Sequence, residues 1–399
     1  MKKGLVAIYL FLVSMGLNAQ AEFIHSQDWE AIKKMAASQE KMIFVDAYTD
    51  WCGWCKVMDK ETFSDPAIGN MMDHLFINAK LEMEKDELGI KMAKKYMIAS
   101  FPTYLIFNSK GELIFITTGF QEPGEFMKTL FKLLDPGNFV RRPGYSDNLN
   151  LEYPKFYDKA MGENGKRKFP KEKELNAWLD EHRDLTKEEN WTVYRRFVYS
   201  MDLKYSDLFW QQLNELDTLY GVDLVNATGE TILGRMVQEL AKQNKEKDFE
   251  QLIAEKGPLI GIEEDGFYYK TYFYQKVNNW NRYGAIMDTF YSKKGMHNPE
   301  WWNSEAWDVY ENCPDTNVIK QALKWIDEVC AISGEYHHLD TYAALLFKDN
   351  QLELAKKKAE LAISTGKAGG KDVKGTEQLL SKIEEALKEK AKLEPGPKK

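Results

Sequence analysis

Four cysteines in 399 residues are too few, and too widely spaced, to staple a chain of this size with disulfides. The thiols therefore read as functional in one place and incidental elsewhere. Structural zinc is disfavoured on the same ground. Such a site takes about four ligands, and beyond Cys52 and Cys55 the remaining thiols, Cys313 and Cys330, lie far along the chain. The apolar run from Gly4 to Leu17 is too short for a comfortable membrane span. Charge of one sign does not cluster: the net charge is −8 and lysines alternate with Asp and Glu, which leaves no nucleic-acid footprint. A phosphate loop is missing as well, because Gly366-Lys367-Ala368-Gly369-Gly370-Lys371 lacks both the preceding strand and the following hydroxyl. No nicotinamide, flavin or nucleotide cofactor is implied. His337-His338 falls at an interhelix turn without an acid or thiol set, so no metal is expected.

What the chain does have is Trp51-Cys52-Gly53-Trp54-Cys55-Lys56, set between an apolar strand and an amphipathic helix. A helix that begins near Cys52 points unpaired backbone N–H groups at its sulfur and favours the nucleophilic thiolate. Cys55 lies one turn later, where it can attack a mixed disulfide formed at Cys52. That context makes disulfide exchange the leading reading; a structural disulfide and half of a zinc site are the alternatives. Asp46, inside the apolar strand, is costly unless paired or protonated. In the functional reading it takes a proton from Cys55 through water.

The stretch resembles the thioredoxin superfamily, and more closely its bacterial secreted members with a Trp-Cys-Gly-Trp-Cys-Lys core. Asp46 stands six residues before the first cysteine, where that family places a buried acid, and Lys80 matches the lysine that partners it. Pro102 matches the cis-proline that faces the disulfide, and Gly119 the glycine after the last strand. The resemblance covers residues 22–135 and implies Cys52, Cys55 and Asp46 as the catalytic set, with Lys80 and Gly119 in support. It further implies that Trp51, Gly53, Trp54, Phe101 and Pro102 meet a protein disulfide substrate. Trp54 replaces the usual proline, and Phe101 a smaller aliphatic residue, so no redox potential transfers from thioredoxin.

Periodicity gives helices at Trp29–Ser38, Cys52–Phe63, Glu87–Tyr96 and Glu122–Leu134, and strands at Met42–Tyr48, Leu75–Leu81, Tyr104–Phe107 and Glu112–Thr118. Lys2-Lys3, the apolar run and Asn18-Ala19-Gln20-Ala21 read as a secretory signal over residues 1–21, which predicts a mature chain in the periplasm. Pro and Gly clusters make 136–150 a linker. Residues 151–387 are predicted all-helical, around 173–183, 189–201, 206–218, 229–243 and 267–292, and 388–399 form a polar tail. Within 303–365, Leu339, Tyr342, Ala343 and Leu346 are followed by Ala355, Ala359 and Ala362, and Ala322, Ile326 and Val329 repeat the second pattern 33 residues earlier. This resembles tetratricopeptide helix pairs. Cys313 and Cys330, near the ends of successive helices, would sit roughly 20 Å apart if those helices are antiparallel. That is beyond disulfide reach, and both are expected as buried free thiols.

The fold class expected is thus an α/β thioredoxin-like domain followed by an all-α helical-repeat domain. The expected function is a periplasmic protein-disulfide reductase or interchange protein that uses an external thiol electron donor, with a protein client on the helical domain and no membrane span in the mature chain. The other reading is a client-binding scaffold built on the same two parts.

Overall fold

The computed structural model describes residues 20–162, 166–262 and 266–393. The expected signal segment lies outside these residues except for Gln20 and Ala21, and so does the tail from residue 394 onward. The chain divides into two compact units, one ending at Arg235 and the other beginning at Met236.

The first unit opens with α1 (Trp29–Ser38), β1 (Met42–Tyr48), α2 (Gly53–Val57), α3 (Pro66–Leu75), β2 (Phe76–Glu82), α4 (Glu87–Tyr96), β3 (Thr103–Phe107), β4 (Leu113–Thr118) and α5 (Pro123–Lys132). The strands form one sheet in the order β2-β1-β3-β4, with β1 parallel to β2 and antiparallel to β3. β1 and β3 occupy the middle and are covered on both faces, which is why they read as continuous apolar runs rather than alternating ones. Even-numbered residues of β1 turn to one face. There Phe44 packs with Met58 and Phe63 from the segment after α2, with Met72 of α3, Tyr104 of β3 and Phe126 of α5. On the other face Phe107 takes Trp29 of α1 and Tyr96 of α4, with ring centroids 4.9 and 5.7 Å away.

Two features went unread in the sequence. α3 has an Asp65 N-cap whose carboxylate accepts from the N–H groups of Ala67 and Ile68, and Pro66 opens its first turn. That pairing is a start signal visible in the letters. The expected helix Cys52–Phe63 is also not uniform, because Met58–Thr62 winds as a π-turn in which the Phe63 N–H reaches the Met58 carbonyl at 2.8 Å.

The unit continues through α6 (Lys155–Met161), α7 (Glu172–Glu181), α8 (Glu188–Phe197), α9 (Ser206–Gln211), α10 (Leu213–Tyr220) and α11 (Val222–Lys242), the last of which crosses its end. Residues 136–150 connect β4 and α5 to these helices while packing against them. The buried guanidinium of Arg142 donates to the Tyr220 carbonyl and to Asp223, and the Gly144 N–H to the Leu219 carbonyl at 2.7 Å. Arg142 thereby satisfies a carbonyl at the end of α10 that would otherwise lack a partner. Lys95 of α4 and Glu188 of α8 form a buried ion pair.

The second unit holds α12 (Glu246–Lys256), α13 (Phe267–Lys276), α14 (Trp280–Lys294), α15 (Pro299–Asn312), α16 (Thr316–Ile332), α17 (Tyr336–Lys348), α18 (Leu352–Ala368) and α19 (Lys374–Leu393). The expected single helix 267–292 is split at Asn278, which adopts φ +56° and ends α13. α19 carries the chain through Lys388–Leu393, part of the expected tail. From α15 onward each helix packs on the next, as in helical-repeat proteins. Ala322, Ile326 and Val329 on α16, Leu339, Ala343 and Leu346 on α17, and Ala355, Ala359 and Ala362 on α18 are all buried. The small alanines let the helix axes approach closely. His337 and His338, which in the sequence stand without an acid set, here meet Glu300 of α15.

Candidate functional site

Cys52 is the N-cap of α2, in extended backbone, and its sulfur accepts the Cys55 N–H at 3.0 Å. The two cysteines are joined as a disulfide with Cα atoms 5.4 Å apart. Both are buried, whereas their neighbours Trp51 and Trp54 are 57% and 60% exposed. Trp51 is held by its indole N–H, which donates to Glu84 at 3.0 Å, and by edge contact with Phe101 at 5.7 Å. Trp54 lies against Phe120 at 5.3 Å. Two exposed indoles, each backed by a phenylalanine, therefore stand immediately before the two cysteines in sequence.

The Phe101–Pro102 peptide is cis, as the family resemblance implies. The Gly119 N–H donates to the Pro102 carbonyl at 2.8 Å, and Gly119 has φ +97°, a conformation that disfavours any side chain. The loop after Gly119 is fixed to the π-turn: the Gln121 carbonyl accepts from Thr62 at 2.8 Å and the Gln121 N–H reaches the Met58 sulfur at 3.4 Å.

Strand register sets Asp46 of β1 beside Lys80 of β2 and Tyr104 of β3, on the same face of β1 as Phe44. Asp46 is 1% exposed, and Lys80 Nζ approaches its carboxylate at 3.2 Å. Burial pushes the Asp46 pKa up to about 6, against the pull of Lys80 and with a smaller push from Asp59. Lys80 is shared, since it also pairs with Asp59 in the π-turn. Asp59 escaped the sequence reading because its partner lies across the domain; its one signal is its place four residues after Cys55, a turn further along the same helix. Phe120 and Glu84 escaped it for the same reason.

Cys313 and Cys330 are free, as expected. Cys313 is buried and Cys330 half-buried. Burial pushes the Cys330 thiol up to about 11 and raises that of Cys313, which holds both in the unreactive protonated form near neutral pH.

Residues 17–133 match a family model described as Thioredox_DsbH, Protein of unknown function, DUF255. The N-terminal domain is thioredoxin-like. A thiol:disulfide interchange protein DsbD from Actinobacillus pleuropneumoniae is 29% identical over 106 residues, which are 26% of this chain and 18% of that protein. The DsbD of Yersinia pestis is 32% identical over 99 residues, 24% of this chain and 16% of that one. The chain thus spans less than a fifth of the length of these curated relatives. Among solved structures, a thioredoxin from Thermus thermophilus is 21% identical with a TM-score of 0.27, covering 30% of this chain and 90% of that one. The sequence matches link the thioredoxin-like domain, with its Cys52–Cys55 pair, to the thiol-disulfide oxidoreductases. Among the described residues no helix is long and apolar enough to cross a membrane.

Proposed function

We propose that this protein is a secreted, periplasmic oxidoreductase that reduces or exchanges disulfides in other proteins. The observation that carries the reading is the Cys52 sulfur at the head of α2, accepting the Cys55 N–H and bonded to Cys55, together with buried Asp46 on β1, whose pKa burial raises to about 6. In the reduced enzyme the same N–H faces a thiolate, and a hydrogen bond to an ionised sulfur is stronger than one to a neutral sulfur. The Cys52 thiolate attacks one sulfur of a client disulfide and expels the other as a thiolate. Asp46 receives the Cys55 proton through water, and Cys55 attacks the Cys52 sulfur of the mixed disulfide. That step releases the second client thiol and leaves Cys52–Cys55 oxidised, so two electrons have passed to the client. An external dithiol returns the pair to the reduced form.

Trp51, Gly53, Trp54, Phe101 and Pro102 form the surface that meets the client backbone, with Lys80 tuning Asp46 and Gly119 bracing Pro102. Residues 1–21 act as the leader, 22–135 as the catalytic domain, 136–150 as the connection and 151–387 as the helical domain. The tetratricopeptide-like pairs in 303–365 supply a surface for a protein client. Reduction is the favoured direction; a Cys52–Cys55 potential near the thioredoxin value of about −270 mV supports it, and one near the oxidant value of about −120 mV rejects it.

The roles are checked by substitution. Cys52→Ser is expected to abolish turnover of a disulfide-bonded protein substrate, and Cys55→Ser to accumulate a mixed disulfide visible on a non-reducing gel. Equal turnover by the wild type and both variants would sink the assignment.

A further inference from the structure

We propose that Glu300, His337 and His338 bind a divalent transition-metal ion, zinc in the first instance, which clasps the start of α15 to the start of α17. One imidazole nitrogen from each histidine and a carboxylate oxygen of Glu300 all lie within 4.8 Å of one another. His337 Nε2 is 2.9 Å from one Glu300 oxygen and His338 Nε2 is 3.0 Å from the other, so a single carboxylate faces both rings.

His338 decides the chemistry. It is fully buried, and its Nδ1 lies 2.8 Å from the Ser333 carbonyl. A carbonyl oxygen only accepts, so Nδ1 carries the proton, and the ring presents Nε2 to Glu300. Among the described residues that Nε2 makes no well-aligned hydrogen bond, although it is buried and aimed at the carboxylate. A buried ring nitrogen of this kind costs free energy unless a proton or a cation sits in front of it. The two imidazole centroids are 4.1 Å apart, so both rings can present a nitrogen to one ion. A metal ion removes this cost, because it accepts lone pairs from neutral rings and charge from the carboxylate.

The donor set selects the ion. Two imidazoles and one carboxylate suit zinc and its neighbours rather than calcium or magnesium, which take oxygen ligands. The Nδ1 bond to Ser333 is the outer contact that orients a metal-binding histidine through its other nitrogen. Three protein ligands leave a further position for water.

The test uses the full chain with Cys52–Cys55 kept oxidised, so that a dithiol does not capture the ion. After chelator treatment and dialysis, zinc is titrated in competition with a chromophoric chelator, and cobalt(II) is added separately as a spectroscopic probe. The expected result is one zinc per chain, a visible cobalt(II) absorption band, and a higher melting temperature with zinc than without. Glu300→Gln and His337→Ala, both on the accessible side of the cluster, should each weaken zinc by about tenfold or more and abolish the cobalt band. His25→Asn, an exposed histidine elsewhere, should change nothing. Substoichiometric zinc, zinc binding indifferent to both substitutions, or binding that appears only once Cys52–Cys55 is reduced would overturn the proposal and leave the cluster as a hydrogen-bonded ion pair.

Discussion

Two lysine–acid pairs are buried in the first unit, and they are built in opposite ways. Lys95 and Glu188 join α4 to α8 inside a filled network. Lys95 also donates to the Asn148 carbonyl at 3.0 Å, while Glu188 accepts from the Ser146 N–H at 2.9 Å and the Ser146 hydroxyl at 2.7 Å. Lys80 and Asp46, on β2 and β1, form a network that is not filled: Lys80 is divided between two acids, and neither Asp46 oxygen has a well-aligned hydrogen bond among the described residues. A carboxylate left underserved in a dry place holds a proton more readily than it would in water. The first pair thus works as a lock between elements, and the second as a proton site kept within reach of physiological pH at some cost in stability.

Breaking the lock should give the largest effect. Glu188→Ala leaves Lys95 buried without its counter-charge, and the first unit is expected to lose about 3–5 kcal/mol in urea unfolding followed by tryptophan fluorescence. Disulfide exchange by the fraction that remains folded should be unchanged, since the bonds of the pair run to Ser146 and Asn148 rather than to the cysteines or Asp46. A loss below about 1 kcal/mol would mean that the pair is no more than an exposed salt bridge in effect, and the contrast drawn above would fail.

The two pairs also differ in how far the sequence revealed them. Asp46 and Lys80 were legible because they stand on adjacent parallel strands, where a family pattern and an interrupted apolar run both mark the acid. Lys95 and Glu188 were not, because 93 positions separate them and each reads alone as an ordinary helix charge. The same rule covers Asp59 and Glu300, whose partners arrive from other elements. Strand and helix cores of the thioredoxin-like domain came through with bounds such as Trp29–Ser38, Met42–Tyr48 and Glu87–Tyr96. Local periodicity sufficed there. It failed where a single residue reversed the backbone, as at Asn278, and where one extra residue per turn changed the winding, as at Met58–Thr62. Neither alters the apolar spacing on which the reading depends.

Removing the proton site should move stability the other way. The Asp46 pKa is about 6 in the folded protein against an ordinary 3.8, so the native state holds an extra proton between those values. The resulting stabilisation is complete below about pH 4 and is lost as pH rises through about 6. Asp46→Asn lacks that slope. It should be more stable than the wild type by about 1–3 kcal/mol at pH 7 and lose this advantage below about pH 4, as read from urea midpoints of the oxidised proteins across pH. On the proposed mechanism it should also slow exchange by about 10²-fold, and the rise in the wild-type rate through about pH 6 should be missing from its profile. A destabilised Asp46→Asn at pH 7 would show that the carboxylate is paid for by Lys80 after all, as in the lock.

The smallest effect sharpens the contrast most. Asp59 competes with Asp46 for Lys80 and adds negative charge that raises the Asp46 pKa, yet it is itself half exposed. Asp59→Asn should change stability by no more than about 1 kcal/mol, the range of partly solvated pairs. It frees Lys80 for Asp46 and removes one repelling charge, so the Asp46 pKa must fall and the inflection in the exchange profile must move to lower pH. The double variant with Asp46→Asn should show no inflection to move. If Asp59→Asn leaves the inflection in place while Asp46→Asn removes it, Lys80 is not the device that sets the proton site. If the inflection shifts and the unfolding midpoint does not, the lysine is shared in order to hold the acid near its switching point, which the filled Lys95–Glu188 network cannot do.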